Sequence, residues 1–187
     1  VSNLIFKDIT IGLTTTSTTF GLEMQGSCEN VLFYGCNINS YELATSTSYT
    51  AVRYYSSNGS RDYLRDVHFI KNNINGGYHN IHLYYPAGST GGMADDAMSV
   101  TIDSNTLTNA YYYGMYLYYH GRYNSISYNT ITSRSSSSSA TWYGMNIYYY
   151  KNVDYIIGNK IKSTNTAINT CYGIYDYYYH NYTSYSG

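Results

Sequence analysis

Charge, helix-forming residues and cysteine are all scarce in this chain, and each scarcity narrows what it can be. Lys and Arg together number 10 and Asp and Glu 11 among 187 residues, a net charge of -1. That leaves no basic face for electrostatic capture of nucleic acid or of an anionic membrane. Ala, Leu, Glu and Lys, which favour helices, are few, whereas Tyr, Thr, Ile and Val, which favour strands, are abundant. No apolar run approaches the roughly 18 residues of a membrane-spanning helix, and no signal peptide opens at Val1. The chain begins without Met and already in a strand-like pattern, which reads as a piece of a longer protein or a processed mature form. Its 3 cysteines, Cys28, Cys36 and Cys171, contain no Cys-x-x-Cys pair. They read as unpaired buried thiols acting as small hydrophobes, with a Cys28–Cys36 disulfide left open and with it the redox compartment.

What the chain has in place of charge is tyrosine, 29 of them, set in a repeat. The clearest copy is Gly114-Met115-Tyr116-Leu117-Tyr118-Tyr119. Others are Gly144-Met145-Asn146-Ile147-Tyr148-Tyr149, Gly173-Ile174-Tyr175-Asp176-Tyr177-Tyr178 and Asn80-Ile81-His82-Leu83-Tyr84-Tyr85. Weaker copies begin at Gly21 and Ala51. Between them a second pattern recurs, Val-x-Phe-x-x-Asn-x-Ile, at Val67, Phe69, Asn72 and Ile74. Its relatives are Val31-Phe33-Cys36-Ile38, Val100-Ile102-Asn105-Leu107, Ile126-Asn129-Ile131 and Ile156-Asn159-Ile161, with Leu4-Phe6-Ile9-Ile11 as a degenerate first copy. A period of about 24 to 36 residues with strand-type alternation and no helical stretch predicts a parallel solenoid, one coil per repeat. The whole of residues 1–187 reads as one such domain.

Alternation assigns the faces. Leu22, Val52, Ile81, Met115, Met145 and Ile174 form an inward apolar column, interrupted one position on only by Asp176, which suggests that regular coiling deteriorates near the C-terminus. Asn72, Asn105, Asn129 and Asn159 recur at one bend, where they can pass amide hydrogen bonds up the stack and tolerate the bend conformation, with Cys36 in their place one coil earlier. Insertions at Leu43–Tyr49, Ser56–Asp62, Pro86–Ala97 and Ser133–Ala140 are expected on one face or edge, where binding sites tend to be built.

These copies resemble the right-handed parallel β-helix proteins of the pectate-lyase-like superfamily. The resemblance covers nearly the whole chain and implies an all-β, right-handed single-stranded parallel β-helix of about six coils. It also implies a range of functions, because the superfamily holds polysaccharide lyases, glycoside hydrolases, epimerases, phage tailspikes and non-catalytic adhesins. Asp95-Asp96 resembles the Asp-Asp segment of its polygalacturonase-like hydrolases, with His120-Gly121 about one coil on, where that family carries Gly-His-Gly. Tyr119 replaces the first glycine, and Arg122 follows the segment. Catalytic candidates on this resemblance are Asp95, Asp96 and Asp103, as paired carboxylates across a glycosidic bond, and His120 from the second segment. The lyases of the fold use clustered Asp residues for calcium and an Arg or Lys as base. The densest charge group here, Arg53, Arg61, Arg65, Asp62 and Asp66, is equally well explained by exposed ion pairs. Of the 5 His, His79 and His82 are three apart, a spacing that suits a helix face and not a strand. No metal set, nucleotide fingerprint or other cofactor motif stands out.

The outward positions remain. One column reads Gln25, Tyr55, Tyr84, Tyr118, Tyr148, Tyr177, and beside it runs Glu23, Arg53, His82, Tyr116, Asn146, Tyr175. Coils about 4.8 Å apart let successive Tyr rings stack, which stabilises the coil without binding anything. The same strip, flat and edged with hydroxyls, suits the apolar faces of sugar rings. Candidate ligand-binding residues are therefore Arg53, Tyr55, His82, Tyr84, Tyr116, Tyr118, Asn146, Tyr148, Tyr175 and Tyr177, with specificity in the mixed column, where variation leaves the core undisturbed. Three expectations follow: an extracellular or cell- or virion-surface adhesive module on a polysaccharide or cell-surface glycan; a hydrolase or lyase; or a stalk segment. Open solenoid ends are compatible with a homotrimer or an end-to-end fibre.

Overall fold

The computed structural model describes residues 1–12, 19–56, 62–84, 99–118, 122–136, 141–148 and 152–177. Within them the chain is an all-β parallel solenoid. Three parallel sheets recur in the same order in each coil, six rungs deep over about five full turns. Sheet A holds β1 (Ser2–Lys7), β4 (Cys28–Tyr34), β7 (Leu64–Ile70), β10 (Val100–Asp103), β13 (Arg122–Ser127) and β16 (Asn152–Val153), with β17 (Ile156–Ile157) also pairing with β13. Sheet B holds β2 (Thr10–Ile11), β5 (Asn37–Asn39), β8 (Asn73–Asn75), β11 (Thr106–Ala110), β14 (Thr130–Ser133) and β18 (Lys160–Lys162). Sheet C holds β3 (Phe20–Gln25), β6 (Thr50–Tyr55), β9 (His79–Tyr84), β12 (Tyr113–Tyr118), β15 (Thr141–Tyr148) and β19 (Thr170–Tyr177).

The Val-x-Phe pattern builds sheets A and B, and the Gly-Met pattern builds sheet C. Val31, Val67 and Val100 stand in register, as do Phe33, Phe69 and Ile102. Phe6, Phe33 and Phe69 stack ring on ring at 4.8 and 5.1 Å inside the coil. Sheet B closes the core with Ile38, Ile74, Leu107 and Ile131, and sheet C with Val52, Ile81, Met115 and Met145, all fully buried. The inward column opens only on its outermost members: Leu22 is half-buried, and Ile174 is 48% exposed on the last described strand. Asp176 lies in register with Ile147 on a strand that still pairs with β15 from Thr170 to Tyr177 and is largely exposed, and the residues that follow it lie outside the described ones.

Every corner from sheet A to sheet B is turned by a single residue in the left-handed region: Asp8, Gly35, Lys71, Ser104, Tyr128 and Gly158, with φ between 54° and 66°. The ladder Asn comes one residue later. The sequence pattern assigns the bend conformation to Asn itself, whereas the preceding residue takes it, which frees the amide to point into the stack. Asn105 shows the outcome: its Nδ2 donates to Asn129 Oδ1 at 3.0 Å and to the Phe69 carbonyl at 2.8 Å. Its Oδ1 accepts from Nδ2 and from the backbone N–H of Asn72, at 3.0 and 2.9 Å. Asn72, Asn129 and Asn159 continue the series, and Cys36 begins it by donating its backbone N–H to Asn72 Oδ1. Cys28 and Cys36 are separate buried thiols, while Cys171, on the outermost described strand, is exposed rather than buried.

Coil length varies at the other two corners. In chain order the insertions at Leu43–Tyr49 and Ser133–Ala140 come between strands of sheets B and C, and those at Ser56–Asp62 and Pro86–Ala97 between strands of C and A. Residues 57–61, 85–98 and 137–140 of these insertions lie outside the described residues. The first insertion is strapped down by Arg134, only 4% exposed. Its guanidinium donates to the carbonyls of Ala44, Asn109 and Gly77 at 3.0, 3.3 and 3.4 Å and lies over the Tyr111 ring.

Candidate ligand-binding face

Strict strand alternation fails at one position of sheet C, and the failure creates the face. Gly114 and Met115 are both buried, while Tyr113 and Tyr116 on either side are both half-buried and turned outward. A Cβ on Gly114 would run into the Ile131 side chain and the Gly144 carbonyl, so the chain passes its backbone into the corner there. In β9 the same position is Asn80, whose Nδ2 donates to the Gly76 and Thr108 carbonyls at 3.0 and 2.8 Å. The residue before this position therefore joins the outward side.

Sheet C thus carries three outward columns where alternation predicts two. The additional one is Tyr113, Tyr143 and Tyr172, continued beneath the surface by the buried His79, with rings stacked at 5.3, 5.0 and 4.7 Å from His79 to Tyr172. The expected ladder of Tyr55, Tyr84, Tyr118, Tyr148 and Tyr177 stacks at 5.8, 5.2, 5.2 and 4.7 Å, every step within 12° of parallel. Between them stand Glu23, Arg53, His82, Tyr116, Asn146 and Tyr175, in register across six strands. The additional column has a signature in the sequence, an aromatic or His directly before each small residue: His79-Asn80, Tyr113-Gly114, Tyr143-Gly144, Tyr172-Gly173.

The middle column is not free to vary independently of packing. Tyr116 stacks on Tyr113 at 4.7 Å, and His82 stacks on His79 at 4.4 Å, so the histidine pair that spacing separates is brought together. Burial, with the Arg53 charge second, pulls the His82 pKa down to about 4. Burial and then the His82 and Arg53 charges push His79 well below the ordinary imidazole range, and its Nδ1 lies 3.2 Å from Thr50 Oγ1. Both imidazoles are neutral at pH 7. Burial, reinforced by the Tyr118 and Tyr84 phenols, pushes Tyr116 up to about 12, so its hydroxyl stays protonated. Asn146 is only 6% exposed, and neither its Oδ1 nor Nε2 of His82 has a hydrogen-bond partner among the described residues.

At the N-terminal rungs the aromatic floor gives way to charge. Arg53 pairs with Glu23 at 3.4 Å, and its guanidinium lies over the Phe20 and Tyr55 rings at 4.6 and 4.9 Å. There an open pocket of about 320 Å³ is lined by Thr47, Ser48, Arg53, Tyr55, His82 and Tyr84. Four of these six are on the sequence-derived set of ligand candidates; Thr47 and Ser48 are not, and come from the insertion that borders β6.

The remaining candidates lie elsewhere. Asp95, Asp96 and His120 fall outside the described residues. Asp103 ends β10 on sheet A, not on the aromatic face, and accepts from Ser125 Oγ at 2.7 Å and from the Ser127 amide at 2.8 Å. In the charge group of the second coil, Arg65 pairs with Glu29 at 3.1 Å, Asp66 accepts from Ser99 and Asp62 from Ser56; Arg61 lies outside the described residues. Among the described residues no group of three or more His, Cys, Asp or Glu is disposed to hold a metal ion. Searches against protein-family models, curated proteins and solved structures return no match, so the face is interpreted on its own geometry.

Proposed function

We propose that this solenoid is a recognition or adhesive module that binds a glycan through the aromatic face of sheet C. The observation that carries the reading is the continuity of that face: three outward columns in register, bordered by the two corners where coil length varies, and leading into a pocket. Parallel phenol rings offer apolar area to the C–H faces of sugars, while their hydroxyls offer hydrogen bonds without net charge. Membership of the pectate-lyase-like superfamily belongs to the same proposal, supported by the repeat patterns and the Asn ladder. So does an extracellular or virion-surface location. Leu4 and Ile174, in register with buried core residues yet 39% and 48% exposed on the outermost described strands, leave apolar edges that a further coil or another copy in a fibre or trimer would cover.

The test is binding to an array of defined glycans by the unaltered chain, Tyr148→Ala and Tyr128→Ala. Tyr128, 63% exposed, lies at the corner between sheets A and B, away from the face. Loss of binding in Tyr148→Ala alone supports the reading. Equal binding by all three chains refutes it, and absence of binding leaves the stalk as the better account. Release of reducing ends or unsaturated products from a bound glycan would move the chain to the hydrolases or lyases of the fold.

A further inference from the structure

We infer that the Arg53–His82 pocket is a chain-end subsite, which takes the terminal residue of an uncharged, hydroxylated linear glycan whose other residues lie along the tyrosine columns toward Tyr177. The inference rests on the recognition reading and adds a direction and a chemical class to it.

The direction comes from the asymmetry of the face. Toward the C-terminus every column remains aromatic or nearly so. Toward the N-terminus all three lose their continuous ring surface within the last two rungs. His79 is followed by Thr50 and then Phe20, His82 by Arg53 and Glu23, and one rung later Tyr55 by Gln25. The Arg53–Glu23 ion pair lies across the foot of the columns, with the guanidinium fixed between the Phe20 and Tyr55 rings. Beside it stand Thr47 and Ser48, in a segment held by Ala44 and Tyr49 backbone bonds and by Arg134 on the Ala44 carbonyl. A chain lying on the rings meets a polar wall there, and only its end fits against it. The volume of about 320 Å³ is at the small end for ligand pockets, which suits one sugar ring.

The chemical class comes from the lining. Tyr55 and Tyr84, parallel at 5.8 Å, make an apolar floor for one ring face. Around it are the Thr47 and Ser48 hydroxyls, the Arg53 donors and the His82 ring, whose Nε2 is itself buried. A carboxylate on the ligand would compete with Glu23 for Arg53, and a cation would meet Arg53 directly. An uncharged ring with several hydroxyls avoids both costs and can pair with the Thr47, Ser48 and Arg53 groups.

The test uses glycans immobilised through either end, with Thr47→Ala, Ser48→Ala and Tyr148→Ala beside the unaltered chain, all checked for retained strand signal by circular dichroism. Bound glycans should share an uncharged terminal residue while their internal linkages differ. Thr47→Ala and Ser48→Ala, both at exposed positions of the pocket lining, should each weaken binding at least tenfold. In competition at equal mass, short oligomers of a bound glycan should outcompete its long polymer in proportion to their chain ends. A shared internal motif with varied termini, acidic termini throughout, equal competition by mass, or pocket variants that bind normally while Tyr148→Ala does not, would overturn the chain-end assignment and leave glycan recognition standing. If no glycan is bound, recognition itself fails and the inference with it.

Discussion

Mild acid should weaken this coil through two imidazoles, and the size of the effect can be worked from their surroundings. His79 and His82 stack at 4.4 Å in a sheet that turns Arg53 and Thr50 toward them from β6 and Tyr113 and Tyr116 from β12, with Tyr84 alongside. None of these neighbours is a carboxylate that could compensate a proton. His82 titrates near 4 in the folded chain, against 6.5 for an ordinary imidazole. The unfolded chain therefore binds more protons between pH 6.5 and 4, and stability must fall as pH falls through that window. It is fully present above 6.5 and lost by about 4. At about 1.4 kcal/mol per pH unit, His82 alone removes about 3 kcal/mol, and His79, shifted the same way by burial, adds to it.

Urea unfolding of the chain and of the double variant His79→Gln, His82→Gln at pH 7, 5.5 and 4 measures this. Fluorescence of the single, fully buried Trp142 provides the signal. Carboxylates that titrate in the same range act in both proteins and subtract out. The unaltered chain should lose at least about 3 kcal/mol more than the variant between pH 7 and 4. Parallel curves would show that the imidazoles are not held neutral by burial, and an imidazole NMR titration of His82 with a midpoint near 6.5 would show the same.

Three further perturbations test the frame that presents the face. Asn105→Ala takes the side-chain donor from the Phe69 carbonyl, one of two donors from Asn129 Oδ1 and the shared acceptor from the Asn72 N–H and Nδ2, and should cost about 2 to 4 kcal/mol by urea midpoint. Gly114→Ala should cost about 2 kcal/mol or more, because its Cβ meets Ile131 and the Gly144 carbonyl. Gly173→Ala, with nothing within 4 Å of the new methyl, should be close to neutral in the same melting assay, and equal effects would refute the corner geometry. Arg134→Leu should cost about 2 to 4 kcal/mol and speed amide exchange in residues 41–49, since the Ala44 and Asn109 carbonyls lose the guanidinium and Gly77 keeps only the Tyr111 N–H.

Periodicity in the sequence was enough to read the coil, its six rungs, the Asn ladder and the Tyr55–Tyr177 stack, because each follows from a residue type recurring at one place in successive rungs. The middle column was also legible in register, though not in burial. What escaped was whatever depends on a break in alternation or on a corner. Gly114 and its equivalents place two consecutive residues inward, so Tyr113, Tyr143 and Tyr172 face out and His79 meets His82. A period-two pattern can express none of this. Thr47 and Ser48 belong to an insertion whose position relative to β6 depends on Arg134, 90 residues from the Ala44 carbonyl that it holds. No local pattern carries that contact.

The division between scaffold and function on this face follows from the same distinction. A ladder in which each rung repeats the last is explained by stacking alone: each parallel step contributes about 0.5 to 1.5 kcal/mol, and a phenol at 5.2 Å from both neighbours needs no ligand to account for it. Stability therefore favours uniform columns. Arg53, His82 and Asn146 interrupt uniformity in the middle column, and each does so at a cost: a cation held by an ion pair, an imidazole kept neutral by burial, an amide oxygen without a partner. A pure stalk gains nothing from such positions and would be expected to lose none of its use when they become tyrosine. Replacing all three by Tyr should accordingly raise the melting temperature, by extending the stacks. If the face exists to bind, the same replacement abolishes binding on the glycan array; if binding survives it, the interruptions have no part in recognition and the tyrosine ladder alone must carry it.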